Sequence, residues 1–302
     1  LGNGDVQFRR GTYEDTPKCF RVFRRSLNDL LRRSGFPDRP DIPPEPDPSW
    51  PAFAGVFDHL GSTSAEWWIA ENGDSEAVGY ARSIQRGETV ELTEFFVEPG
   101  ARVAGIGRGL LERAFPADRG THRAVIATVD APAVSLYLRF GVMHQTTAVD
   151  VVKVPTGTGL PTDCRVLPAT ASEVLDLEPS VLGHARAEEI EFMLRDRPAV
   201  VLERAGRRIG YAFLANEFGQ AGPIAAVEPV DMPAVLAHVE QAAYESGCEE
   251  LTLTVPLSAT IAIHWLLEVR AFRVHPFYQL LLADGPWARF DRYLPFNPSL
   301  LL

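Results

Sequence analysis

The stretch from Glu91 to Phe115 constrains this chain more than any other. Phe95-Phe96-Val97 suits a buried strand, Pro99-Gly100 stops it, and Leu110, Leu111, Ala114 and Phe115 follow at helical spacing. Between strand and helix, Gly105 and Gly107 remove side chains where backbone amides at a helix start would point outward. A strand, a glycine turn and a helix N-terminus in that order make an anion-binding design, because the first amides of a helix have no intrahelical partner and sit at the positive end of its dipole.

At 302 residues the chain is long for one core and suits two domains. A net charge of -11 argues against nucleic acid as the partner and favours cationic acceptors such as amines, although an acidic balance is also a common route to solubility. Cys19, Cys164 and Cys248 are scattered and odd in number, so neither a disulfide framework nor a zinc site is expected. His59, His122, His144, His184, His238, His264 and His275 are isolated, with no paired ligand spacing, and no metal is expected. No apolar run reaches membrane-spanning length and no signal-peptide pattern precedes the first periodic segment, so a cytoplasmic location without membrane association is the expectation.

The chain opens with a short edge strand at Val6–Arg10. A helix follows, capped by Thr12 or Asp15, with Cys19, Phe20, Phe23, Leu27, Leu30 and Leu31 on one face. Arg21, Arg24, Arg25, Arg32 and Arg33 around it read as a solvated face. Residues 35–51 are dense in proline and acids, which excludes helix and central strand and leaves a surface loop, either a lid or a mere connection. Trp50, Phe53, Val56, Phe57 and Leu60 recur at helical spacing. Two alternating runs, Glu66–Ala70 and Ala77–Ile84, form a hairpin through Asn72-Gly73-Asp74. After the helix beyond the glycine turn come a strand at Arg123–Val129, a helix from Ala131 to Phe140 ended by Gly141, and a strand pattern from Val142 to Val154.

These residues carry a resemblance. Val97-x-Pro99 followed by Arg102-x-x-Gly105-x-Gly107 resembles the acyl-CoA signature of the GNAT superfamily of N-acyltransferases, and Asp130-x-x-Ala133-x-x-x-Tyr137-x-x-x-Gly141-Val142 resembles that family's later helix. Two positions depart from the pattern: Asp130 stands where Asn is usual and Val142 where Phe is usual. The resemblance covers roughly residues 5–154. It implies acetyl-CoA as acyl donor, no metal, and a central mixed, largely antiparallel sheet flanked by helices, an α/β (α+β) fold.

Carried onto this sequence, the resemblance places the donor's pyrophosphate on the amides from Arg102 through Val103, Ala104, Gly105, Ile106 and Gly107 to Arg108, with the arginines adding charge-assisted contacts. Phe96 and Val97 lie where the strand before the loop splays from its parallel neighbour and meets the pantetheine arm, and Asp130 lies at a further donor contact. A strand amide there would receive the thioester oxygen as charge develops on it. Tyr137 occupies the family's general-acid position, and a core tyrosine is the competing reading. Glu91 and Glu94 are the candidate bases. Three apart, they point to opposite faces of an undistorted strand, so at most one faces the acyl group. Glu91, six residues before Val97, has the spacing of the base in the histone-type members. A water chain could replace both.

Pro155-Thr-Gly-Thr-Gly-Leu-Pro161 is a turn-rich linker, and beyond it the chain repeats itself. Gly79-Tyr80-Ala81 reappears as Gly210-Tyr211-Ala212 and Val97-Glu98-Pro99 as Val227-Glu228-Pro229, offsets of 131 and 130 residues. At the second offset Arg102, Gly105, Gly107 and Tyr137 become Met232, Val235, Ala237 and Leu267, while Asp231 and Pro233 oppose anion binding. The expected organisation is therefore two tandem GNAT-like domains: 1–154 with the intact motif, a linker at 155–163, and a degenerate copy at 164–302. That copy would serve packing, shape the acceptor site or make homodimer contacts. The Pro-rich insertion has no counterpart in it and is expected at the acceptor pocket. The aromatic tail from Trp287 should dock on something: a partner subunit, the first domain's acceptor groove or, more simply, by ordinary intramolecular packing. The activity implied is transfer of an acetyl group from acetyl-CoA to a primary amine of a small molecule or peptide. A CoA-binding sensor or scaffold without turnover is the alternative. The chain also resembles mycothiol synthase in length and layout. The catalytic domain of that enzyme is its second, so its activity does not carry over.

Overall fold

The computed structural model describes residues 6–36, 40, 43–102, 105–159 and 163–296. The chain forms two compact units, residues 1–125 with 130–143, and 126–129 with 144–302.

In the first unit, β1 (Gln7–Arg10) is followed by α1 (Thr16–Arg33), α2 (Trp50–Thr63), β2 (Glu66–Glu71), β3 (Ala77–Arg86), β4 (Thr89–Val97), α3 (Ile106–Ala114), β5 (His122–Thr128) and α4 (Ala131–Arg139). The strands stand in the order β1-β2-β3-β4-β5, antiparallel except for the β4/β5 pair. Such a mixed, largely antiparallel sheet is what the hairpin and crossover signals require. The apolar stripe of α1 delivers Cys19, Phe20, Val22, Phe23 and Leu30 to the core. There Phe20 stands edge-on to Phe57 of α2 at 5.4 Å and Phe23 edge-on to Phe96 of β4 at 5.1 Å, a preferred aromatic geometry. The opposite face receives α3, whose Leu110 would lie 3.2 Å from a Cβ added at Gly79.

The arginines of α1 are ion-paired as well as partly solvated. Arg24 binds Asp47 at 2.8 Å, Arg21 binds Glu45 at 3.3 Å and Arg25 binds Glu98 at 3.0 Å. Two of those three carboxylates belong to the Pro-rich segment, which α1 therefore holds down. Its residues 37–39 and 41–42 lie outside the described residues.

In the second unit, the strand β6 (Met143–Lys153) pairs from Ala148 onward with β12 (Leu251–Pro256). The other elements are β7 (Cys164–Pro168), α5 (Ala171–Leu175), α6 (Glu178–Val181), α7 (Ala187–Asp196), β8 (Ala199–Arg204), β9 (Arg207–Phe213), β10 (Gln220–Ala221), β11 (Ile224–Ala226), α8 (Met232–Glu245), α9 (Thr260–His264), β13 (Arg273–Ala283) and β14 (Tyr293–Leu294). Strands β13, β6, β12 and β10 run side by side, and β14, β11, β9, β8 and β7 make a separate sheet. The compact units thus divide elsewhere than at the linker expected at 155–163. The six-residue ladder to β12 groups β6 with the second unit, although its sequence closes the first copy.

The repeat is visible element by element. β13 is β6 displaced by 130 residues at both ends, and the tight turn Pro229–Asp231 is Pro99–Ala101 at the same offset. Gly141 adopts a left-handed φ of 86°, and Ala271, which replaces it in the second copy, is held at 56°. An alanine kept in a conformation natural to glycine is the mark of a fold retained after the residue changed.

Among the described residues no helix is long and apolar enough to cross a membrane, and no group of three metal-binding side chains converges.

Candidate active site

The site is built where β4 leaves β5. Their parallel ladder runs Thr89↔His122, Val90↔Arg123, Glu91↔Ala124 and ends there, although β4 continues to Val97. Backbone groups of β4 beyond Glu91 that face away from β3 are therefore available to a ligand, in the splay that the family resemblance implies.

A β-bulge sets which side chains face which way. On β3, Arg82 pairs with Glu94 but Ser83 pairs with Leu92, leaving Thr93 as the extra residue, its hydroxyl donating to the Arg82 carbonyl at 3.2 Å. Directly paired residues share a face, so Glu94 lies with Arg82, and Glu91 with Ile84. Arg82 and Ile84 are two apart. The bulge thus brings Glu91 and Glu94 onto one face, that of Tyr80, α1 and α2, where an undistorted strand would have parted them.

The two carboxylates have different surroundings. Glu94 accepts from the Tyr80 hydroxyl at 2.8 Å and pairs with Arg82 at 3.2 Å, and both ion-pair partners are fully buried. Arg82 also lies over the Trp67 ring at 3.7 Å and donates to the Phe57 carbonyl at 3.2 Å. Burial pushes the Glu94 carboxyl up, and Arg82 and Tyr80 only partly offset it. Glu91 is also buried, on the last rung before β4 and β5 separate.

The other face holds Tyr137. Its ring is edge-on to Phe95 at 5.8 Å, it is 5% exposed, and its hydroxyl makes no hydrogen bond among the described residues. Burial, reinforced by Asp130, raises its pKa well above the ordinary phenol value, so the hydroxyl keeps its proton and can act as a donor. Phe96 stays with the aromatic core on the α1 side, in contact with Phe23 and Tyr80, and is half-buried.

Gly105 caps α3 with φ 78°, and a Cβ there would meet nothing within 4 Å. Gly107 faces inward, where a Cβ would come within 3.1 Å of both Phe95 and Leu136. Among the described residues the first bond of the α3 ladder runs from the Gly109 amide to the Gly105 carbonyl at 2.9 Å, so the amides of Ile106, Gly107 and Arg108 lie in the first turn, where an anion can be served. Val103 and Ala104 lie outside the described residues. Arg108 points to solvent and pairs with Glu112 at 2.8 Å. Arg102 is engaged by Asp29 of α1 at 2.7 Å, and Asp130, at the N-cap of α4 without a capping bond, is engaged by Arg33 at 3.0 Å. Asp29 and Arg33 had no functional reading in the sequence. Their i, i+4 spacing was visible, but the residues they reach lie on other elements.

A strand edge open beyond Glu91, a glycine turn at a helix start and a protonated hydroxyl without a hydrogen bond among the described residues make an arrangement that an acyl-CoA donor could use. Residues 63–142 match the family model of the acetyltransferase (GNAT) domain. The first unit carries a GNAT acetyltransferase domain, and the chain has the tandem GNAT fold. A Pyrococcus horikoshii protein provisionally named an acetyltransferase superposes with a TM-score of 0.70 at 16% identity, over 97% of this chain and 94% of its own. A GCN5-related N-acetyltransferase from Sphaerobacter thermophilus gives 0.60 at 15% identity, over 93% and 96%. A tandem GNAT protein from the clavulanic acid biosynthesis pathway gives 0.55 at 14%, over 93% and 99%. No curated protein sequence matches the chain.

The second copy lacks these features. α8 starts at Met232, directly after the turn at Pro229–Asp231, whereas α3 starts only at Ile106, so helix replaces the glycine turn. Asp231 is buried and bonded by Arg204. β11, the counterpart of the open part of β4, has β14 paired on its outer edge, Ile224↔Leu294 and Ala225↔Tyr293. The C-terminal aromatics Phe290, Tyr293 and Phe296 are buried within this unit, the docking expected of the tail.

Proposed function

We propose that the first unit is an N-acetyltransferase that moves the acetyl group of acetyl-CoA to a primary amine by direct attack. The observation that carries this reading is Tyr137, a buried side chain against Phe95 of the open stretch of β4 whose hydroxyl makes no hydrogen bond among the described residues. A hydroxyl kept protonated and not engaged by a neighbouring side chain can donate to a leaving thiolate. Bound acetyl-CoA supplies the activated acyl group and the thiolate leaving group.

The chain's own residues supply the rest. The amides of Ile106, Gly107 and Arg108 bind the pyrophosphate, with Arg102 released from Asp29 to join them, while Phe95 and Gly107 shape the wall against which Tyr137 stands. Two proton movements are needed: the ammonium must lose one before attack, and the thiolate must gain one from Tyr137. Glu91 is the better base, because both oxygens of Glu94 face partners, Tyr80 and Arg82. It lies on the α1/α2 face and Tyr137 on the other, so base and acid reach the β4 opening from opposite sides of the sheet. The acceptor then enters from the side of α1, α2 and the Pro-rich segment.

The test is a thiol-release screen of amines, aminoglycosides, amino acids and peptides with acetyl-CoA. The expected result is amine-dependent release of CoA that Gly105→Glu abolishes. Tight acetyl-CoA binding with no release for any amine would overturn the enzyme reading in favour of a sensor.

A further inference from the structure

Arg102 follows the C-terminal end of β4 and Asp130 follows that of β5, the ends at which ligands enter between diverging parallel strands. The last turns of α1 connect the two. Asp29 holds Arg102 at 2.7 Å and Arg33 Nε at 3.0 Å through the same oxygen, and Arg33 Nη1 reaches across to Asp130 at 3.0 Å. Arg32 approaches the other Asp29 oxygen at 3.7 Å. Burial alone would raise the Asp29 carboxyl, but the bonds from Arg33 and Arg102 outweigh it and hold it ionised. The side chains of Asp29 and Asp130 are each 16% exposed, so the chain of charges is shielded from bulk water more than an ordinary surface pair.

From this arrangement we infer that Arg102, Asp29, Arg33 and Asp130 form an ionic latch across the mouth of the donor cleft, with Arg33 as its crossing member. The latch rests on the donor reading of the β4 opening. In the closed form the Asp29 carboxylate occupies the Arg102 guanidinium that the pyrophosphate would otherwise take. Entry of the donor exchanges one oxyanion for another on Arg102 and parts Arg33 from Asp130, and release of CoA reverses both. Asp130 thus has a use that an asparagine would not serve, since only a charged acceptor holds Arg33 strongly across the gap. Arg33 is a positioning residue and touches no reacting atom.

Two ion pairs of this exposure give a barrier worth about threefold to tenfold in rate. The discriminating variants are Arg33→Ala and Arg33→Lys. Lysine keeps the positive charge but loses the planar fork that bonds both carboxylates at once. Stopped-flow binding of CoA to the full chain should show association faster by about threefold or more in either variant, with dissociation unchanged or slower and Kd correspondingly lower. A residue acting only by electrostatic steering would give slower association for Arg33→Ala and wild-type rates for Arg33→Lys, and that result overturns the latch. Asp130→Asn opens the same crossing without touching α1 and should also speed association; a lowered melting temperature with unchanged rates in all three variants would reduce these bridges to structural ones and overturn the proposal. If neither wild type nor variants bind CoA, the donor reading itself fails. If wild type binds and Gly105→Glu does not, yet the Arg33 variants match wild type, only the latch fails.

Discussion

Replacing Tyr137 by phenylalanine removes a single oxygen from a ring that is otherwise packed edge-on to Phe95. Nothing in the core loses a hydrogen bond, because the hydroxyl makes none among the described residues, and the desolvation cost it carries is relieved. Stability should therefore lie between unchanged and about 1 kcal/mol higher. If Tyr137 is the general acid, its loss should lower kcat by about a hundredfold or more, while the pyrophosphate contacts proposed for the α3 amides and Arg102 leave the KM for acetyl-CoA within about threefold. Thermal melting and thiol-release kinetics on the same preparation read both quantities. A variant that melts lower, or whose kcat falls less than about tenfold, would return Tyr137 to the role of a core tyrosine and remove the acid from the mechanism.

Three further outcomes follow from the packing. Gly107→Ala should cost about 1–3 kcal/mol, since the new methyl meets Phe95 and Leu136 at 3.1 Å; Gly105→Ala meets nothing and should cost only about 1–2 kcal/mol of left-handed strain, both measurable by urea unfolding. Glu94→Ala leaves Arg82 charged and buried and should destabilise by about 3–5 kcal/mol, with the double change Arg82→Met, Glu94→Leu recovering most of it. Burial raises the pKa values of Tyr80, Tyr137 and Tyr211 above that of an unfolded tyrosine, so the unfolded chain loses these protons first. Their contribution is intact below about pH 10 and lost as pH rises beyond it; the urea midpoint should fall from there, less steeply for Tyr137→Phe.

Much of the fold was legible because it rests on periodicity. The Phe20/Phe23 stripe of α1, the hairpin of β2 and β3, and the glycine turn before α3 each follow from local pattern, and the repeat offset of 130 residues reproduces β6 in β13 end for end. What escaped depends on partners far along the chain. The α1 arginines look like a solvated face until Glu45, Asp47 and Glu98 are brought to them. Asp29 and Arg33 look like a routine helix pair until Arg102 and Asp130 arrive from two other elements. The bulge at Thr93 has no local signature, since it is defined only by the register of β4 on β3. For the same reason the grouping of β6 with β12 was invisible: the linker marks where one copy ends in sequence, whereas a strand belongs to whichever neighbour completes its ladder.

The bulge also fixes how β4 tolerates change. It acts as a shift of reading phase: residues up to Leu92 alternate in one phase and those from Glu94 onward in the other. Deleting Thr93 would make Leu92 and Glu94 neighbours in a regular ladder, with the other side chains of β4 keeping their faces. Drawing Thr93 into the ladder with no residue lost would instead turn one half of the strand over: Glu91 would exchange faces relative to Glu94, or Phe95 would leave Tyr137 for the aromatic cluster under α1 while Phe96 took its place against α3. The place of one residue outside the ladder therefore sets that Glu91 shares a side of this sheet with Glu94, while Phe95 shares the other with Tyr137.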